Sequence, residues 1–233
     1  MHIIALIWIA IILGVMPLQA IWSRRKVQTL QPTRMQAYTS TISGLLSMGA
    51  ITLLIDWFSG RSGLRAVRPM PDALKLAAWT AGTCLACAVV WFAGMLQRKL
   101  WQQSPDEVVA LLLPQTARER AAFMAVSLVA GTMEEYVMRG FCLLVLAHAT
   151  GSMTLSFILV TLGFAVAHGY QGAWALLRTG MLGALLAVPV IITGSLLPSM
   201  IAHAGTDILA GFFGYRLLHR WGLVNPDSPA GSC

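Results

Sequence analysis

The sequence predicts an all-α fold, a polytopic integral membrane helical bundle of about seven transmembrane helices, and three observations carry that prediction. The 233 residues are 57% hydrophobic and 11% charged, against about 45–50% and 25% in soluble domains. The apolar residues fall into seven runs long enough to be membrane spans. The basic residues stand beside those runs rather than along a polar face. A bilayer core about 30 Å thick takes about 20 apolar residues per helix, so a chain of this length holds about six to eight spans and no separate soluble domain.

The first run, IIALIWIAIILGVMPLQAIW, follows directly on Met1 and His2. It lacks the cationic start of a secretory signal and is expected to remain as an uncleaved helix over 2–22, closed by Arg24, Arg25 and Lys26. The second and third spans are expected at 37–58 and 73–96. Cys84 and Cys87 share the third, where small polarisable residues serve helix packing better than redox or metal chemistry. The segment DEVVALLLPQT, 106–116, is too short to span and reads as an interfacial lead-in, with an eighth, re-entrant element as the alternative.

The fourth run, 121–147, is too long for one crossing. It is read as a helix beginning near Thr116, with Arg118, Glu119 and Arg120 in water and the membrane portion starting near Ser127. The fifth, sixth and seventh spans follow at 153–168, 174–193 and 197–217.

A net charge of +7 raises nucleic acid as a partner, but the placement of the basic residues answers to membrane orientation instead. With seven spans, Arg24, Arg25, Lys26, Arg34, Arg98, Lys99, Arg118, Arg120, Arg216 and Arg220 share one side, against Arg61, Arg65, Arg68 and Lys75 on the other. The richer side is expected to be cytoplasmic, with the N-terminus outside and the C-terminus inside. The basic loop at 59–72 runs against that trend.

Ionisable groups near a bilayer centre cost about 2.5–3.5 kcal/mol each, which makes them functional candidates by default. Glu134, Glu135 and Arg139 lie in the fourth span, His168 ends the fifth, and His203 and Asp207 lie in the seventh. Glu135 and Arg139 are four apart, on one helix face, and are expected to neutralise each other as an ion pair. Glu134 is about 100° around the helix with no cation in its own turn, and is the carboxylate left for chemistry. His203 and Asp207 are again four apart, and Phe164 precedes His168 by one turn as packing. A glutamate and two histidines from three helices together meet the requirements of amide hydrolysis, activating water and stabilising an oxyanion.

EExxxR at 134–139, FxxxH at 164–168 and HxxxD at 203–207, with TGSLLPSMIAHAG at 193–205, resemble the CPBP (CAAX protease and bacteriocin-processing, or Abi) family of intramembrane glutamic endopeptidases. The resemblance spans about 116–217. It implies a hydrolase that cleaves a membrane-associated protein or peptide, with Glu134 and His168 activating water and His203 and Asp207 holding the oxyanion. Glu135, Arg139 and Phe164 support that site. Many relatives have asparagine where this chain has Asp207, and an ionised aspartate cannot donate a hydrogen bond.

On this reading 1–115 holds the first three helices and the interfacial segment, 116–217 is the catalytic core, and 218–233 is a cytoplasmic tail. A bacterial inner membrane is the expected location, and no nucleic acid is expected as a partner.

No cofactor is expected, although zinc held by Glu134, His168, His203 and Asp207 is the alternative enzyme chemistry. A proton-coupled transporter or a scaffold is the non-enzymatic alternative, disfavoured by the lack of internal repeats. Counting about 1.5 Å per residue puts Glu134 and His168 about 8–11 Å from the cytoplasmic face and His203 nearer the opposite one. Either the TGSLLP connection dips into the membrane, as Pro198 at a helix start permits, or the span boundaries are displaced.

Overall fold

Helix stops and starts in this chain are written locally, and the computed structural model follows them. It describes residues 2–18, 22, 29–169 and 172–224. Arg24, Arg25, Lys26 and the tail from 225 onward lie outside the described residues. Helix α1 (His2–Ala10) continues through a π-helical stretch, Ile11–Val15. Then come α2 (Arg34–Phe58), a short α3 (Ser62–Ala66), α4 (Ala73–Leu100) and a short α5 (Glu107–Leu112).

The fourth expected span is α6 (Ala117–Glu135), a π-helical segment Tyr136–Cys142, and α7 (Leu143–Thr150), forming one continuous helix. The chain closes with α8 (Met153–Ala167), α9 (Ala173–Thr193) and α10 (Leu197–Arg220). Each expected span thus coincides with a helix to within a few residues, and no strand occurs among the described residues.

Capping chemistry sets the boundaries. Thr33 and Thr116 form capping boxes with Gln36 and Glu119, Asp72 accepts from the amides of Leu74 and Lys75, and Ser152 accepts from that of Leu155. The expected start at Thr116 is therefore the observed one.

Four helices, Arg34–Phe58, Ala73–Leu100, Ala117–Thr150 and Ala173–Thr193, are long and apolar enough to cross a membrane. Ile3–Leu18 and Met153–Ala167 are apolar but shorter. Helix α10 has the length, with 24 residues, but carries His203, Thr206 and Asp207. The outward faces bear large apolar side chains such as Ile4, Leu54, Leu85, Leu162 and Ile192, all more than half exposed. In water such a surface would be untenable, whereas facing lipid it is the required one. The chain is an integral, multi-pass membrane protein.

Since lipid tails are as apolar as leucine, the helices are held by close packing and polar contacts. Helix α10 packs against α6 and α4, α2 packs against α6, and α9 bridges α8 and α4. A Cβ on Gly131 of α6 would stand 2.6 Å from the amide nitrogen of Ala204 on α10, so only glycine lets these backbones approach. Cys87 packs with Leu186 and Ala202, and Cys84 lies against that cluster, as expected of small packing residues.

A second polar knot ties α3 to this bundle. The carboxylate of Asp56, fully buried, accepts from the amides of Gly63 and Leu64 and from the Tyr136 hydroxyl at 3.0 Å. The TGSLLP connection is pinned to the same region. The amide of Leu196 donates to the carbonyl of Ala66 at 2.8 Å, and Ser195 Oγ donates to that of Arg68 at 2.8 Å. Leu196 is wholly buried, so the connection is packed against α3 and the residues that follow it.

Candidate active site

The registry of α6 against α10 decides what can meet. The two run antiparallel, with Gly131 against Ala204 and Gly211 against Phe123. Glu134 lies 18 residues past its helix start at Thr116, and His203 lies 17 before the helix end at Arg220. At 1.5 Å per residue both are about 26 Å from the same end of the molecule. The expectation that His203 falls nearer the opposite face is thus corrected. It took the fourth helix from a membrane boundary at Ser127, whereas the continuous helix 117–150 is about 51 Å long and overshoots a 30 Å hydrocarbon core.

Glu135 and Arg139 form the expected ion pair, Nη1 to Oε1 at 2.9 Å, with both side chains essentially unexposed. It survives the change from α to π geometry that begins at Tyr136. Arg139 is more fully engaged than its spacing suggested. Its Nη2 donates to the carbonyl of Gly183 at 3.0 Å, and its guanidinium lies 4.2 Å from the centre of the Phe164 ring. A Cβ on Gly183 would meet Phe164 at 3.0 Å and Arg139 Nη2 at 3.1 Å. Phe164 therefore does more than pack: one face receives the arginine, and the His168 ring lies 4.6 Å away.

The second departure concerns His203. Its short contact is with Glu135, not with Asp207. Nδ1 lies 2.8 Å from Glu135 Oε1, while Nε2 is 3.7 Å from Asp207 Oδ2. A carboxylate oxygen accepts, so Nδ1 is the donor. Glu135 thereby joins α6 to α10 as well as neutralising Arg139, a link across 68 residues that helical periodicity cannot display. Its other oxygen, Oε2, is buried without a hydrogen bond.

Glu134 points elsewhere. Its Oε2 is buried without a hydrogen-bond partner and lies 4.0 Å from His168 Nε2. The His168 ring is turned by its other nitrogen, Nδ1, 2.9 Å from the carbonyl of Phe164. A carbonyl only accepts, so Nδ1 carries a proton and Nε2 is the nitrogen turned toward Glu134. A separation of 4.0 Å is too long for a direct hydrogen bond and suits one bridging water.

All four residues, Glu134, His168, His203 and Asp207, line one cavity of about 270 Å³. The cavity extends along α4, past Cys87, Trp91 and Met95 to Arg98, and takes Arg178 from α9. Sequence reasoning missed Arg178; the signal was a lone arginine one turn inside an apolar span. It also missed Asp56 and Tyr136.

Among the described residues no group of three or more His, Cys, Asp or Glu side chains is arranged to hold a metal ion.

A multi-pass helical bundle with carboxylates and imidazoles gathered in an internal cavity belongs to the class of membrane-embedded proteins with an intramembrane polar site. The sequence that builds this site has a recognisable likeness: residues 116–209 match the family model described as Rce1-like, Type II CAAX prenyl endopeptidase. The matched stretch, less than half of the chain, contains Glu134, Glu135, Arg139, Phe164, His168, His203 and Asp207, and its similarity to a membrane protease family is consistent with the CPBP resemblance. No curated protein and no solved structure matches the chain.

Proposed function

We propose that this protein is an intramembrane endopeptidase that hydrolyses a peptide bond of a membrane-associated protein or peptide without a metal or a covalent enzyme intermediate. The observation that carries the reading is the pairing of an unbonded, buried Glu134 oxygen with His168 Nε2 across 4.0 Å inside a cavity. A water between them gives one proton toward Glu134 while its oxygen attacks the scissile carbonyl, and that proton then goes to the leaving amine. His168, oriented by the Phe164 carbonyl, aligns the water.

On the other wall, His203 faces the developing oxyanion. With Nδ1 donating to Glu135, a proton on Nε2 is the donor that the oxyanion requires, and Asp207 at 3.7 Å balances the resulting imidazolium. Asp207 acts here by orienting and compensating His203, which removes the need for an aspartate to donate. Arg139 stays behind Glu135, away from the reacting atoms.

The family description supports a CAAX-type tail as the first substrate to test. In this reading the end of the bundle carrying Arg98, Lys99, Arg118, Arg120, Arg216 and Arg220 is cytoplasmic, and a bacterial inner membrane is the proposed location. The test is a fluorogenic farnesyl-cysteine peptide presented to the purified chain in liposomes. Cleavage is expected to persist with a strong chelator present and to be lost in Glu134→Gln and His168→Ala. Cleavage by either variant at the parent rate overturns the assignment.

A further inference from the structure

The π-helical stretch Tyr136–Cys142 begins one residue after Glu135 and two after Glu134. The amide of Leu143 that closes it donates to the carbonyl of Met138, five residues back, where an α-helix would use the fourth. Such turns are rare and recur at functional sites. What holds this one is α3.

The π-helical stretch has two faces. Glu135 and Arg139, four apart, look into the bundle and make the buried ion pair beside His203. Tyr136 and Gly140, also four apart and each one residue further on, meet α3 instead. The Tyr136 hydroxyl donates to Asp56 Oδ2 at 3.0 Å, and a Cβ on Gly140 would lie 3.3 Å from Gly63 Cα. Asp56 is itself fixed, fully buried and receiving the amides of Gly63 and Leu64. Each contact with α3 is one residue away from a member of the ion pair. Locking the first face therefore sets how far the second is turned.

The other wall of the site rests on α3 as well. Its Ala66 carbonyl receives the amide of Leu196 at 2.8 Å, and a Cβ on Gly140 would stand 2.8 Å from Leu196 Cδ1. His203 is seven residues beyond Leu196, about 10 Å along α10. The helix carrying Glu134 and the helix carrying His203 thus lean on one wedge. Asp56, Gly63 and Tyr136 do not line the cavity, so they act on the site only through these helices.

Resting on the protease reading, we propose that Tyr136 and Asp56 are positioning residues for the reaction. Clamped to α3, they fix the turn of the π-helical stretch and so present Glu134 to the water and Glu135 to His203. Neither touches substrate or the reacting atoms. Loss of the clamp leaves the substrate bound and slows the chemical step.

The test is the steady-state kcat and KM for a farnesyl-cysteine peptide in liposomes, measured well below the melting temperature of every variant. Tyr136→Phe removes the hydroxyl alone. It is expected to lower kcat about 10- to 100-fold with KM within about twofold, as for reacting groups displaced by up to about 1 Å. Gly63→Ala keeps both partners but puts a Cβ 3.0 Å from Asp56 Oδ2 and 3.1 Å from Tyr136 Cε2. It is expected to give the same loss in kcat, and it decides the matter if Tyr136→Phe does not fold.

Asp72→Ala is the control for destabilisation alone. It removes the cap of α4 at the far end of the same connection, so it is expected to lower Tm and to keep the parent kcat. Either clamp variant turning over at the parent kcat, a loss falling mainly on KM, or an equal kcat loss in Asp72→Ala overturns the inference. Failure of the protease reading has a different signature, a parent that cleaves no peptide at all.

Discussion

Replacing Glu135 by alanine strands two cations or donors at once. The carboxylate is unexposed, and one oxygen receives Arg139 Nη1 at 2.9 Å and His203 Nδ1 at 2.8 Å. Removing one partner of a buried ion pair costs about 3–5 kcal/mol because the other charge stays buried. Arg139 is 1% exposed and cannot reach water, and its remaining contacts, the Gly183 carbonyl and the Phe164 face, carry no full negative charge. The α6–α10 tie through His203 goes too, so the upper part of that range is expected.

Glu134→Gln, by contrast, changes an oxygen that makes no hydrogen bond and should cost well under half as much. The assay is quantitative blotting of membranes together with thermal unfolding of purified protein in detergent. Glu135→Ala should accumulate poorly and melt early, with Glu134→Gln near the parent. Equal levels and equal melting for the two would refute this division of labour.

Asp207→Asn should keep most of the cleavage activity, because the amide still orients His203 and can donate without a bound proton; a peptide-cleavage assay showing full loss would contradict that role. Tyr136→Phe leaves the buried Asp56 one donor short and is expected to cost about 1–3 kcal/mol in detergent unfolding, with little change in KM. Gly131→Val forces side-chain volume into the α6–α10 contact and should destabilise by at least about 1–3 kcal/mol, read as a drop in Tm.

At the aqueous start of α6, partial burial raises the Glu119 pKa, but the amides of Thr116 and Gln115, then Arg34, outweigh it and hold it below the ordinary 4.5. Its contribution is therefore present above about pH 4.5 and lost as pH falls through the depressed value. The stability difference between parent and Glu119→Ala should accordingly shrink in acid unfolding; a constant difference would contradict it.

The fold was legible because its signals are local. Apolar run length gave the helices, and the polar turn that follows Thr116 placed the start of α6 near its observed cap. The ion pair was legible for the same reason, four residues being one helical turn. What escaped depends on registry between helices distant in sequence. Nothing in HAGTD reveals that His203 reaches Glu135 rather than Asp207, since that contact depends on Gly131 letting α10 slide close. Likewise the depth of His203 could not be counted along its own helix, because the helix opposite overshoots the membrane. Arg178 looked like an isolated charge until Gly94 and Arg98, about 80 positions earlier, stood beside it.

The most direct test of water activation by Glu134 is a single-turnover cleavage rate, with enzyme in excess over a farnesyl-cysteine peptide in liposomes, comparing the parent with Glu134→Gln of matched thermal stability. Loss of a general base lowers the chemical step by about 10²–10⁴-fold, so the variant is expected to retain peptide binding and to cleave at least about a hundred times more slowly. A folded Glu134→Gln protein that cleaves within a few fold of the parent would contradict the account.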